Sequence, residues 1–135
     1  RRNQKTNSHF SNFDDIPINL PALMRSFKIQ KIVSRVGFDW PKTKQVYEKV
    51  LEELKEVRLA KTKDNIEEEI GDLLFSVVNL ARHLETDPEG ALRRANSKFE
   101  KRFKNLETEL FNQGKNFSES SIEELERVWS IIKNR

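Results

Sequence analysis

The chain has 135 residues, a length that suits one domain large enough to bury its own hydrophobic core. It has no cysteine, which excludes disulfide bonds, thiolate metal sites and cysteine nucleophiles, and no apolar run of the ~20 residues that a membrane span needs. The net charge of +3, from 25 basic and 22 acidic residues, suits a phosphate-bearing ligand but also an ordinary solvated surface, and it supports nucleic-acid binding only weakly. We therefore expect a cytoplasmic protein.

The first fifteen residues differ in composition from the rest of the chain. Residues 1–15 are polar and rich in Asn and Ser, which predicts a linker or tail ahead of a domain over residues 16–135. The sequence begins with Arg1 rather than methionine, as it would if a preceding segment were missing.

Five helices and no strand are predicted, because apolar residues recur at helical spacing and period-2 alternation is nearly absent. The first four helices cover about 20–36, 41–61, 64–84 and 88–112. Asp64 and Glu67 make a pair like a capping box at the start of the third helix, and Ser120 or Ser121 caps the fifth. The fold class is all-α, a bundle of about five helices.

The apolar residues of helices 2 and 3 occupy more than one side of each helix. Phe75 and Val78 lie away from the main stripe of helix 3, and Tyr47 and Leu51 lie away from that of helix 2. Since a five-helix monomer covers both sides poorly, we expect dimerisation to complete the bundle. The stripe predicted to face inward on helix 3 consists of Ile66, Ile70, Leu73, Val77, Leu80 and Leu84.

Two pairs of acidic residues form the segment that is most informative about function. Glu53 and Glu56 are one helical turn apart, and Glu69 and Asp72 repeat this spacing after an interval of twelve residues. A short polar turn between helices 2 and 3 predicts an antiparallel hairpin, in which residues equidistant from the turn lie at the same height. Glu56 then pairs with Glu69, and Glu53 with Asp72, in layers about 4.5 Å apart at a rise of ~1.5 Å per residue.

Four carboxylates this close repel one another unless a cation compensates them. Hard oxygen ligands from several acids suit Mg²⁺ or Mn²⁺, which also bind substrate phosphates. Ser76, Asn79 and His83 continue the same flank of helix 3, so a polar seam runs beside the core. The alternative is a helix pair with acids on its wet side, but the paired spacing and the position beside the core favour a metal site.

At these residues the sequence resembles the MazG nucleotide pyrophosphohydrolases, part of the all-α NTP pyrophosphatase superfamily, whose signature is Glu-x-x-Glu, a gap, and Glu-x-x-Asp. The likeness covers roughly residues 16–133 and is greatest to the C-terminal catalytic domain of two-domain MazG proteins. The segments that carry it besides the acids are residues 20–23, 36–41, 68–75, 79–83 and 95–103.

The resemblance implies a homodimeric, Mg²⁺-dependent enzyme that cuts nucleoside triphosphates to monophosphate and pyrophosphate. Metal ligands implied by the match are Glu53, Glu56, Glu69 and Asp72, and nucleotide-binding residues are Lys49, Lys98, Arg102 and Trp129. Without the resemblance, the two basic residues of helix 4 would be ordinary solvated charges. Trp129 suits core packing at least as well as a contact with the base, Trp40 suits a helix entry or a pocket wall, and His83 has no evident partner.

In the expected reaction, a water activated by metal attacks phosphorus in line and breaks the bond between the α- and β-phosphates. Glu53 and Glu56 are the candidates to accept its proton, and Lys98 or Arg102 offsets the charge that develops on pyrophosphate. No Gly-rich phosphate loop is present, which excludes a P-loop mechanism.

Three other functions remain open at this stage. The chain suits a narrower dUTPase or phosphoribosyl-ATP pyrophosphohydrolase of the same superfamily, which a substrate panel would distinguish. It also suits a helical partner-binding domain with a decayed site, although the presence of all four acids argues against decay. A nucleic-acid-binding domain is the weakest alternative, since only the mild positive charge favours it.

Overall fold

A computed structural model describes residues 13–135 of the chain. Within them lie five α-helices and two short 3-10 helices, and no strand, which confirms the predicted all-α class. No helix in this part of the chain is both long and apolar enough to cross a membrane. The α-helices are α1 (Ala22–Arg35), α2 (Thr43–Leu59), α3 (Lys63–His83), α4 (Pro88–Asn112) and α5 (Ile122–Lys133).

The ends of the elements follow local capping interactions. Thr62 caps α3 by accepting a hydrogen bond from the backbone N–H of Asn65 at 3.2 Å. The helix therefore begins near Asp64 as predicted, but the predicted capping pair of Asp64 and Glu67 was wrong. Ser121 caps α5 in a capping box, as one of the two predicted alternatives required. Residues 1–12 of the predicted tail lie outside the described part of the chain, and Phe13–Asp15 form a short 3-10 helix.

Contacts within the chain divide it into two compact units, and the boundary along the sequence lies between Gly90 and Ala91. In the first unit, α3 packs closely against α2 and also against α1. Only residues 60–62 join α2 to α3, and the two helices form the predicted hairpin. Val46 of α2 and Val78 of α3 are almost completely buried and mark the centre of this unit.

The buried flank of α3 differs from the predicted one. Val78, expected away from the core, is 1% exposed, and Ser76 beside it is also buried. Because apolar residues surround much of α3, their periodicity defines no single inward face, and packing against α1 and α2 selects the flank of Ser76 and Val78. The predicted inward positions that are instead 40% to 49% exposed are Ile66, Ile70, Val77 and Leu84.

The second unit consists of most of α4 together with α5. Its core is a cluster of Leu106, Leu110, Val128 and Ile132, and Trp129 packs against that cluster. Core packing of Trp129 is thus confirmed for this unit.

Candidate metal centre and adjoining cavity

Three acids of the α2–α3 hairpin come together at one place. Glu53 of α2 and Glu69 and Asp72 of α3 each offer a carboxylate oxygen, and these atoms lie within 4.8 Å of one another. The two acids of α3 are one helical turn apart and therefore share a face of that helix. The packing of the antiparallel α2 against α3 places Glu53 beside this face. Glu56 contributes no oxygen to this group, so its role as a fourth ligand stays a prediction.

Glu69 is the member of the cluster whose titration is altered. The pKa of the Glu69 carboxyl is raised, first by burial and then by Asp72, Glu53, Glu56 and Glu68. The effect of Glu56 on Glu69 agrees with their equal height in the hairpin. A cation bound among these carboxylates would remove the repulsion that adds to the effect of burial on the pKa of Glu69.

Glu53 is the most buried acid of the cluster, with 8% of its surface exposed. Its Oε1 lies 3.2 Å from Nζ of Lys49, and this interaction is the main reason that the pKa of Lys49 is raised. Its Oε2 is buried and has no hydrogen-bond donor among the described residues. A buried carboxylate oxygen without a partner is costly, and a metal ion would satisfy it. The three acids therefore fit a hard divalent cation.

A cavity of about 710 Å³ adjoins the acid cluster. Glu53, Asp72 and Lys49 contribute its charged lining at that end. Trp40 is part of the wall, so the pocket alternative for this residue is the confirmed one. The largely apolar remainder includes Ile29, Val33, Phe38 and Phe75, a composition and size that suit a planar small molecule.

Asp39 attaches the loop between α1 and α2 to the last turn of α3. Its Oδ1 accepts hydrogen bonds from Arg82 Nη2 at 2.6 Å, from His83 Nε2 at 2.8 Å and from the backbone N–H of Trp40 at 2.8 Å. The hydrogen bond from Arg82 is the main cause that lowers the pKa of Asp39 to about 2. Since an ionised carboxylate only accepts, Nε2 of His83 must carry a hydrogen. His83 thus has a partner that its sequence neighbours do not reveal.

Two further polar residues of the cavity wall were missed in the sequence. Gln30 is 3% exposed, and its Nε2 donates to the carbonyl oxygen of Phe75 at 2.9 Å. Oε1 of Gln30 has no partner among the described residues. Arg82 donates from Nε and Nη2 to Oδ1 of Asn79, at 3.1 and 2.8 Å. A lone Gln or Arg on an amphipathic helix is so common that no local pattern identifies either one.

The remaining predicted site residues belong to the second unit. Lys98 is exposed on α4, whereas Arg102 is partly buried. Trp129 of α5 lies against Phe99, with 5.2 Å between ring centroids. The roles of all three in nucleotide binding remain predictions.

Part of the chain matches a known domain, and most of it is similar to known proteins. The MazG nucleotide pyrophosphohydrolase domain matches residues 42–107, which hold all four acids. Over 130 residues the chain is 46% identical to the nucleoside triphosphate pyrophosphohydrolase of Escherichia coli strain K12, covering 93% of this chain and 49% of that protein. Identity to the nucleoside triphosphate pyrophosphohydrolase/pyrophosphatase MazG of Thermotoga maritima is 45%, covering 96% of this chain and 51% of that protein.

A more distant relative is the uncharacterised protein YabN of Bacillus subtilis, 37% identical over 137 residues that cover 98% of this chain and 28% of YabN. The chain thus spans about half the length of the Escherichia coli and Thermotoga relatives. It belongs to the MazG family of nucleotide pyrophosphohydrolases.

Proposed function

We propose that this domain hydrolyses nucleoside and deoxynucleoside triphosphates to the monophosphate and pyrophosphate, with Mg²⁺ or Mn²⁺ as cofactor. The observation that carries the proposal is the group of Glu53, Glu69 and Asp72 oxygens within 4.8 Å, at the edge of the cavity. The Escherichia coli and Thermotoga maritima relatives are named nucleoside triphosphate pyrophosphohydrolases, which supports the same reaction.

Glu53, Glu69 and Asp72 would hold the metal ion, with Glu56 as a further ligand from the exposed side. When bound, Mg²⁺ supplies positive charge to the phosphate oxygens and favours the deprotonation of a water molecule. The three carboxylates are hard oxygen donors without a histidine or cysteine among them, a set that suits Mg²⁺ or Mn²⁺ better than Zn²⁺.

Glu56 is the better of the two candidates for the proton acceptor. Glu53 is buried and engaged with Lys49, whereas Glu56 is exposed and lies outside the group of three oxygens. A carboxylate that is not fully used as a ligand remains available to accept a proton from the attacking water. Lys49 lies at the cavity edge, where its ammonium group would contact a phosphate oxygen once a metal ion compensates Glu53.

Roles for the second unit follow from the family resemblance. Lys98 and Arg102 are proposed to offset charge on the departing pyrophosphate, since cationic groups stabilise an anion that develops in the transition state. Trp129 is proposed to contact the nucleobase with the part of its ring that Phe99 leaves uncovered.

We further propose that the protein is a homodimer formed through α2 and α3. Tyr47, Leu51 and Leu74 are each about half exposed or more, although they belong to the central hairpin. Apolar surface of this kind on packed helices is typical of an interface with a second subunit. Light scattering after gel filtration tests this: a dimer mass is expected, and Leu51→Glu should give a monomer.

The test of the reaction is product analysis. Purified protein is incubated with a panel of NTPs, dNTPs, dUTP and phosphoribosyl-ATP with Mg²⁺, and the products are separated by ion-exchange chromatography. Pyrophosphate and monophosphate are expected, with activity lost in EDTA and restored by Mg²⁺ or Mn²⁺. Orthophosphate as the sole primary product would overturn the proposal, and turnover of dUTP or phosphoribosyl-ATP alone would select the narrower alternative.

A further inference from the structure

The end of the cavity wall formed by the last turns of α3 carries hydrogen-bond donors that have no acceptor within residues 13–135. Asn79 Oδ1 accepts from Arg82 Nε and Nη2, and Arg82 Nη2 also donates to Asp39 Oδ1. These bonds fix both side chains and determine that the amide of Asn79 presents Nδ2 as its free end. None of the described residues accepts a hydrogen bond from Asn79 Nδ2 or from Arg82 Nη1, although both side chains line the cavity.

The two donors lie at a definite place relative to the acid cluster. Asn79 and Arg82 follow Asp72 on α3 by seven and ten residues, which correspond to about 10 and 15 Å at a rise of ~1.5 Å per residue. Seven residues are close to two helical turns, so Asn79 and Asp72 share a face. A nucleotide with its phosphates at the acids therefore has its base near the two donors, an arrangement that rests on the proposed function.

The charge at this end of the cavity favours a neutral acceptor over a second phosphate group. Arg82 is paired with Asp39, whose pKa of about 2 keeps its carboxylate ionised at neutral pH, so the positive charge is already compensated. The neighbouring wall contains the rings of Phe38, Trp40 and Phe75, which provide apolar faces for a planar base. Two fixed donors beside aromatic rings match the carbonyl group of a nucleobase.

We propose that Asn79 Nδ2 and Arg82 Nη1 bind a carbonyl oxygen of the nucleobase and make the enzyme prefer oxo bases over adenine. A carbonyl oxygen has two lone pairs and can accept from both donors. Adenine is the only common base without a carbonyl, and its amino group would face these donors with hydrogens of its own. Donors that the bound base covers are then left unpaired, which discriminates against the mismatched ligand.

A pair of ligands that differ at one edge of the purine tests this preference. Hypoxanthine has a carbonyl at the position of the adenine amino group, and the two bases are otherwise nearly equal in size and shape. The binding of the α,β-methylene analogues of dITP and dATP, which cannot be cut at that bond, is measured by calorimetry with Mg²⁺. We expect the wild type to bind the hypoxanthine nucleotide about tenfold more tightly, with a matching ratio of kcat/KM for dITP and dATP.

The isosteric variant Asn79→Asp exchanges a hydrogen-bond donor for an acceptor at the cavity while preserving the contact with Arg82. One carboxylate oxygen still accepts from Arg82, and the other replaces the donor Nδ2 by an acceptor. The preference for hypoxanthine should fall to one or reverse in favour of adenine. Asn112→Asp, at the exposed C-terminal end of α4, introduces the same change outside the cavity and should keep the wild-type ratio. Unchanged melting temperatures establish that each variant is folded.

The outcomes separate this inference from the proposed function. Equal affinity of the wild type for the two analogues, together with intact release of pyrophosphate, would overturn base recognition alone. A uniform loss of affinity in Asn79→Asp with an unchanged ratio would place a phosphate or ribose group at these donors, and would overturn it too. A wild type that prefers the hypoxanthine analogue but releases no pyrophosphate from dITP would overturn the proposed reaction and leave base recognition standing.

Discussion

Lys49 is the ion-pair partner of Glu53, with 3.2 Å between Nζ and Oε1. It satisfies only one oxygen of that carboxylate, since Oε2 is buried without a donor among the described residues. The ammonium group therefore compensates part of the charge at the edge of the acid cluster. A metal ion bound to this carboxylate would compete with Lys49 for its negative charge, and such competition is measurable.

Removing the ammonium group should make the protein more dependent on metal. The raised pKa of Lys49 means that folding favours its charged form, a contribution present at neutral pH and lost as the pH rises through the folded-state pKa. Lys49→Met should thus be less stable in EDTA at pH 7, by about 0.5 kcal/mol because the pair is partly exposed. Its melting temperature should rise more than that of wild type on adding Mg²⁺. Lys44→Met, at an exposed position of α2, is the control, and identical behaviour of the two variants would contradict the competition.

Neutralising Glu56 should lower the activity without lowering the stability of the metal-free protein. Without metal, each acid pair across the hairpin costs ~1 kcal/mol where water still screens it, so Glu56→Gln should be at least as stable as wild type in EDTA. Activity should fall by orders of magnitude, and the stabilisation by Mg²⁺ should shrink, because ligand binding to the folded state stabilises it by mass action. Melting curves with EDTA and with saturating Mg²⁺ measure both effects. Glu48→Gln on the same helix is the matched control, and a Glu56→Gln protein that melts well below wild type in EDTA would make this acid structural.

The raised pKa of Glu69 predicts a specific pH dependence of the metal-free protein. A carboxyl that binds its proton more tightly when folded destabilises the fold once it is ionised, so the penalty is complete above the folded-state pKa and vanishes as the pH falls towards 4.5, the unperturbed value. Glu69→Gln should therefore melt above wild type at pH 7 in chelator-treated buffer. The difference should disappear near pH 4.5, and a difference that stays constant between these pH values would show that the charge of Glu69 is not its cause.

Asp39 should behave in the opposite sense. Its pKa is lowered from 3.8 to about 2, so it contributes stability that is complete above 3.8 and lost as the pH falls through about 2. Asp39→Asn should destabilise the protein at pH 7 by about 1–2 kcal/mol, reduced from the full shift because the side chain is partly exposed. Urea unfolding at fixed protein concentration measures this, with Glu48→Gln as control. If the variant is equally destabilised at pH 2, the ion pair with Arg82 is not the source.

Loss of the charges at Lys98 or Arg102 should weaken nucleotide turnover without unfolding the protein. Lys98 is exposed and Arg102 is only partly buried, so truncation leaves no large cavity. Lys98→Ala and Arg102→Ala should each lower kcat/KM by about tenfold or more, since a charge-assisted hydrogen bond to phosphate contributes at least this much. Lys101→Ala, between them on α4, should be close to wild type. Wild-type kinetics in both variants would make these residues ordinary surface charges.

Local patterns predicted the helices well because the relevant physics is local. The span of α4 from Pro88 to Asn112 and the Ser121 cap follow from residues within a few positions. The inward face of α3 could not be predicted in the same way, since apolar residues cover several of its sides. Which of them is buried depends on α1 and α2, and the burial of Val78 is decided by that packing.

The residues of the site likewise include some that local spacing predicts and others that only tertiary packing brings together. Glu53, Glu69 and Asp72 could be predicted to meet because a helical hairpin converts sequence spacing into height. The bond of Asp39 to His83 joins residues 44 positions apart through a loop, and no periodicity encodes it. The role of Gln30 could not be predicted for a similar reason, because it depends on a hydrogen bond to the carbonyl oxygen of Phe75, which lies on another helix.

The hairpin has a consequence for how the chain tolerates insertions and deletions. One residue added within α2 after Glu56, or within α3 before Glu69, would rotate the acids beyond it by ~100° and shift them by ~1.5 Å. Only residues 60–62, which join the helices, can vary in number without turning Glu69 and Asp72 away from Glu53. The lengths of the helical segments between the acid pairs, residues 57–59 and 63–68, therefore matter more for the site than most of their composition.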